Sequence, residues 1–120
     1  MLAILIVEDD PILALDLEGT IAEMGHRVCA VAETAAQAVH AADCHCPDLI
    51  LMDFNLADGS DGAEAARCIR LKSSVPIIFV TAQAQSGHRA RMESISRSRV
   101  VPKPHCPQMI ASAIQASQAA

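Results

Sequence analysis

The chain has 120 residues, a formal net charge of −5, 52% apolar residues and 19% charged residues. That balance excludes a disordered chain, and the acidic charge argues against a general nucleic-acid binder, which needs a basic face. No stretch approaches the ~20 consecutive apolar residues of a membrane span.

With no Trp or Tyr and only two Phe, the core must be built from Ala, Ile, Leu and Val. Residues 2–7 read as a buried strand that stops on Glu8, Asp9 and Asp10. Asp10-Pro11 is a helix start, since Asp caps and Pro suits the first helical position. Leu13, Leu17, Ile21 and Met24 recur at helical spacing, and Gly25 closes the helix. Arg27–Ala32 is a second strand. Thr34 caps a helix with Ala35, Ala38, Val39 and Ala42 on one face, ending near Cys46-Pro47. Asp48–Phe54 is a third strand, centred on the apolar run Leu49 to Met52. A loop with Asp-Gly turns comes next, in which Asp58 and Asp61 are read as solvated turn residues. Ala63–Lys72 is helical, with Ala63, Ala66 and Ile69 inward. Ile77–Val80 is a strand finishing on Thr81. A weakly patterned helix spans roughly 86–96, with a basic face at Arg89 and Arg91 that reads as solvated. Arg99–Val101 is the last strand, and a helix over about 107–118 turns Met109, Ile110, Ala113 and Ile114 inward.

Strands alternating with helices predict a doubly wound α/β domain, a parallel sheet with helices on both faces. The five strand–helix units occupy residues 1–120 and are expected to form one domain. The N-terminal run lacks the basic start and cleavage pattern of a signal peptide, so a cytoplasmic location is expected. Five cysteines with no Cys-x-x-Cys pair fit reduced thiols. Cys44-His45-Cys46 lacks the second cluster that a four-ligand zinc site needs, and reads as a helix end.

In open α/β sheets ligands bind at the carboxyl ends of strands, where strand order reverses. The chain places Glu8, Asp9, Asp53, Thr81 and Lys103 there. Three carboxylates in one cleft repel one another. A hard divalent cation such as Mg²⁺ relieves that repulsion with oxygen ligands and retained water. Asp9 and Asp53 are expected as direct ligands, Glu8 as a ligand through water, and the backbone carbonyl of Asn55 as a further one. A carboxylate at such a site can act as a nucleophile towards phosphorus. Lys103 and Thr81 would meet the oxygens of the transferred group. The chain has no Gly-x-x-x-x-Gly-Lys-Ser/Thr loop, so ATP is not the expected direct donor.

Four segments together carry a family resemblance: Ile-Leu-Ile-Val-Glu8-Asp9-Asp10-Pro11, Asp48-Leu-Ile-Leu-Met-Asp53, Pro76-Ile-Ile-Phe-Val-Thr81-Ala82 and Lys103-Pro104. In this order and spacing the chain resembles the CheY-like receiver domain of bacterial two-component response regulators, from end to end. The resemblance implies a flavodoxin-like fold of five strands in the order 2-1-3-4-5. It implies Mg²⁺-dependent transfer of a phosphoryl group to Asp53 from a sensor histidine kinase or histidine phosphotransfer protein. It makes Glu8 and Asp9 the acidic metal pair, Thr81 the switch hydroxyl and Lys103 the phosphate-pairing amine. Asn55 and Gln83 flank the phosphate and would tune dephosphorylation. Pro104 would follow a cis peptide bond.

The implied protein is a stand-alone phosphoacceptor, a monomer or weak dimer. It acts on an unknown downstream protein and catalyses only its own phosphorylation and dephosphorylation. Three departures stand out: the loop Leu56–Gly62 has Ala57 in place of a proline and its Gly one position late, Val100 occupies the family's aromatic switch position, and Ile95–Arg99 lacks the usual Gly-Ala. Val100 and the unusual loop motivate the alternative of a phosphorylation-independent interaction module. A hydrolase with an aspartyl-phosphate intermediate would need a carboxylate at position 55, where this chain has Asn.

Overall fold

A computed structural model describes residues 1–82, 87–103 and 106–118. Five strands, β1 (Ala3–Val7), β2 (Arg27–Ala32), β3 (Leu49–Met52), β4 (Ile77–Thr81) and β5 (Ser98–Pro102), form one sheet in the order β2-β1-β3-β4-β5. Every pairing is parallel. The connecting helices are α1 (Pro11–Glu23), α2 (Ala35–His45), α3 (Gly62–Arg70) and α4 (His88–Glu93), and α5 (Pro107–Gln118) comes after β5. The parallel sense is the one expected from the alternating pattern, and the order is the one the family resemblance implies.

Strand alternation sorts the core into two layers. Ile4, Ile6, Leu49, Leu51, Ile78 and Val80 face α1 and α5, where Leu17, Ile21, Ile110 and Ile114 meet them. Leu5, Val7, Ile50, Met52, Ile77 and Phe79 face the other side and pack against Ala38, Ala63, Ala66, Ile69 and Met92 of α2, α3 and α4. The small alanines of α2 and α3 let those two helices lie close to each other.

Several boundaries shift for identifiable reasons. β3 stops at Met52: Asp53 keeps one more bond to β1, and Phe54 turns into the loop, where its carbonyl accepts from the Gly62 N–H. Asp61 is a helix cap and not a free turn residue: its carboxylate accepts from the Glu64 N–H, so α3 starts at Gly62. Asp58 holds the left-handed turn conformation (φ 64°) in a single 3₁₀ turn over Ala57–Gly59. In α1 the inner face is Ala14, Leu17, Thr20 and Ile21, with Leu13 and Met24 only half-buried. Asp10 caps α1 as expected, accepting from the Ile12 and Leu13 N–H groups. α4 ends at Glu93, short of the expected 96, and the expected cis bond before Pro104 lies outside the described residues.

Candidate functional site

The order 2-1-3 reverses direction between β1 and β3, and the candidate residues gather beyond the ends of those strands. Backbone bonds carry the ladder past each strand end and hold the next residue in place. Glu8 N–H donates to Ala32 O (2.9 Å), Asp53 N–H to Val7 O (2.9 Å), and Lys103 N–H to Thr81 O (3.0 Å). The residues just beyond β1, β3 and β5 are thereby fixed by the sheet itself.

The Lys103 ammonium lies 2.9 Å from Glu8 Oε1 and 3.2 Å from Asp53 Oδ2. The other oxygen of Asp53, Oδ1, accepts from the Phe54 N–H at 2.7 Å, so both oxygens of this carboxylate are oriented. Glu8 Oε2 accepts from the Asp10 N–H at 3.3 Å. Glu8 is 2% exposed and Asp53 9%, whereas Asp9 is exposed at the mouth. Thr81 is fully buried at the end of β4.

One carboxylate oxygen from each of Glu8, Asp9 and Asp53 falls within 4.8 Å of the others. Lys103 is the one cation paired with this group among the described residues, and Asp9 has no ion pair there. Burial, with the crowding of like charge added to it, registers in the pKa values. Burial pushes the Glu8 carboxyl above the ordinary range, with repulsion from Asp53 adding to it, against the lowering effect of Lys103. Asp9 is raised by its own partial burial and by Glu8 beside it. For Lys103 burial alone would lower the ammonium, but the bond to Glu8 and the charges of Asp53 and Glu8 outweigh it and leave it raised. Three hard oxygen donors short of positive charge fit a divalent cation of the Mg²⁺ type.

Asn55 lies in the loop beyond Asp53, exposed, and forms an isolated antiparallel bridge with Asp61. Gln83 lies outside the described residues. Val100 is half-buried and packs against the core beside α4.

The late glycine of the 56–62 loop has a structural reason. Gly62 N–H donates to Phe54 O at 2.6 Å, and a Cβ on Gly62 would clash with the backbone carbonyl of Asp53. The extra residue is taken up by the 3₁₀ turn, and the loop is pinned by Ala57 N–H to Glu33 O and by Ala35 N–H to Ser60 Oγ. Sequence reasoning assigns no role at the site to Phe54 or Arg91, and the structure places both beside it. The Phe54 ring is buried under α4, stacked on His88 with centroids 4.4 Å apart. The Arg91 guanidinium sits 5.6 Å from the Phe54 centroid and 3.2 Å from Asp61 Oδ2. The position of Phe54, directly after Asp53, is the signal in the sequence that points to it.

Comparison with known proteins gives a consistent picture. The model of the response regulator receiver domain matches residues 4–115. The chain is 46% identical over 80 residues to the phyllosphere-induced regulator PhyR of Methylorubrum extorquens, covering 66% of this chain and 30% of PhyR. It spans less than half the length of the first curated relatives it matches. The solution structure of the Erythrobacter litoralis PhyR receiver domain superimposes with a TM-score of 0.82 at 32% identity, covering 98% of this chain and 89% of that one. The receiver domain of the Pseudomonas aeruginosa sensor histidine kinase PA1611, solved with a magnesium ion in its active-site cleft, gives 0.88 at 31% identity, covering 99% and 98%. Among the described residues no helix is long and apolar enough to cross a membrane. By the match over residues 4–115 and these relatives, the chain belongs to the family of response regulator receiver domains.

Proposed function

We propose that the chain is the phosphoacceptor of a two-component phosphorelay, with Asp53 as the acceptor. The observation that carries this reading is the Asp53 carboxylate held between Lys103 and the Phe54 N–H, with Glu8 and Asp9 beside it. An Asp53 oxygen attacks the phosphorus of a phosphohistidine on a sensor kinase or phosphotransfer protein. A P–O bond forms, the P–N bond breaks, and the leaving imidazole nitrogen keeps the electron pair and takes a proton from solvent. Lys103 passes from the carboxylate to an oxygen of the transferred group, and Thr81 donates its hydroxyl to another. Asp9, Asp53, the Asn55 carbonyl and, through water, Glu8 would hold Mg²⁺, which would supply charge neutralisation at the transferring group. Asn55 and Gln83 would set how readily water removes the phosphate.

The chain serves as a single signalling domain over residues 1–120, a monomer or weak dimer in the cytoplasm. Its output is contact with another protein, and it catalyses nothing beyond its own phosphorylation and dephosphorylation. The departures at Val100 and in the 56–62 loop favour one rival, a receiver fold that signals without phosphate. NMR with Mg²⁺ and a beryllofluoride phosphate mimic separates the two. The phosphoacceptor reading expects Mg²⁺-dependent shifts centred on residues 8–10, 53–55, 81 and 103. A spectrum unmoved by either addition supports the rival.

A further inference from the structure

The amide that donates to the Asp53 carboxylate belongs to Phe54, which is 2% exposed and covered by α4. His88 stacks on the Phe54 ring at an interplanar angle of 29°. One turn further along α4, Arg91 reaches the ring from the same helix and spends its charge on Asp61, at 3.2 Å. Asp61 is itself fixed, because it caps α3 through the Glu64 N–H and bridges to Asn55. The peptide after Asp53, the loop to α3 and the exposed helix α4 are thus joined through one aromatic ring. Both His88 and Arg91 contact it, and neither belongs to the acidic group at Asp53.

We propose that Phe54, His88, Arg91 and Asp61 form a clasp that relays the phosphorylation state of Asp53 to α4; this rests on Asp53 being the acceptor. Phosphorylation turns one carboxylate oxygen into the bridging oxygen of an acyl phosphate, so the carboxylate's own charge is lost and roughly −1.5 to −2 charge units sit instead on the phosphoryl oxygens, a shift of negative charge outward from the Asp53 carboxyl. The Phe54 amide must then re-aim from the carboxylate towards the new charge. Its ring turns with the peptide, and the stacking and cation–π contacts depend on the ring's position. Arg91 is drawn from Asp61 by the added negative charge. Both changes loosen α4 and expose its Arg-bearing face to a partner. His88 and Arg91 are positioning residues in this scheme: they act on the site through Phe54.

The chain has two phenylalanines, so 4-fluorophenylalanine labelling gives two ¹⁹F resonances, with Phe79 in the core as the internal reference. The protein is treated with acetyl phosphate and Mg²⁺, Asp53 labelling is followed by intact mass, and α4 is followed by hydrogen exchange over 88–93. In the wild type, labelling should shift the Phe54 resonance far more than the Phe79 one and speed α4 exchange several-fold. In the double variant His88→Ala with Arg91→Ala, labelling of Asp53 should persist while α4 exchanges at one rate with and without phosphate. Arg91→Lys, which keeps the charge facing Asp61 but presents no planar guanidinium, should retain part of the response. Labelled double variant with a wild-type α4 response overturns the clasp and leaves the acceptor reading intact. Wild type that takes no label overturns the acceptor reading and the relay together.

Discussion

Lys103→Met removes the ammonium while keeping the length and apolar stem of the side chain. Glu8, 2% exposed, and Asp53 then face each other without a counter-charge. Removing one partner of a fully buried ion pair costs about 3–5 kcal/mol, because the other charge is stranded. Here the Lys103 side chain is 17% exposed, and the mouth at Asp9 admits water, so about 2 kcal/mol is expected at pH 8. For a chain of this size that is a fall in Tm of roughly 6–10 °C. Glu8 sets the sign with pH. Its folded pKa is already raised, so it contributes stability when protonated, below the ordinary glutamate value, and that contribution is lost as pH rises through the raised value. Without Lys103 the Glu8 carboxyl rises further, and the cost of ionising it grows. The variant's deficit should therefore be largest at pH 8 and shrink as the pH falls towards 5. Mg²⁺ at pH 8 should restore part of the loss, since it stabilises the state that binds it. Urea unfolding of both proteins at the two pH values, with and without Mg²⁺, checks all three statements. A deficit below about 0.5 kcal/mol, the size of a neutral surface change, or one independent of both pH and Mg²⁺, would refute the buried-pair reasoning.

Gly62→Ala should destabilise the fold by about 1–3 kcal/mol, the cost of overpacking against fixed backbone, because the new methyl meets the Asp53 carbonyl; unfolding midpoints test it, and the Phe54 N–H should shift in the NMR spectrum. Cys29 is half-buried on β2, and burial pushes its thiol pKa up, so less thiolate is present at pH 8. It should be alkylated by iodoacetamide more slowly than the exposed Cys44, Cys46, Cys68 and Cys106, with peptide mapping over time as the check.

The gathering of Glu8, Asp9, Asp53 and Lys103, with Thr81 at the neighbouring strand end, is legible because each lies at or just beyond the end of an apolar run that reads as a strand. Parallel topology then brings those ends to one edge. The features that stay hidden in the sequence depend on tertiary neighbours. Arg91 reads as part of a solvated basic face because nothing local distinguishes it. Its partners, Phe54 and Asp61, are 37 and 30 residues away, at 54 and 61. Asp61 reads as a turn residue because Asp-Gly is a common turn pair, yet here the Asp caps α3 and the Gly fits under a carbonyl. The pattern overextends α4 because its few apolar residues, Met92 and Ile95, are buried near its last turn and beyond its end. Lys103 points to an incoming phosphoryl group in the sequence; its pairing with buried Glu8 as well as Asp53 emerges only from the distances.

Intact mass after incubation with acetyl phosphate and Mg²⁺ shows whether Asp53 accepts a phosphoryl group. The expected result is the mass of one added phosphoryl group, lost in alkaline hydroxylamine as an acyl phosphate is, and absent from Asp53→Asn and from wild type in EDTA. Equal labelling of wild type and Asp53→Asn, or no labelling of wild type at saturating Mg²⁺, would contradict it.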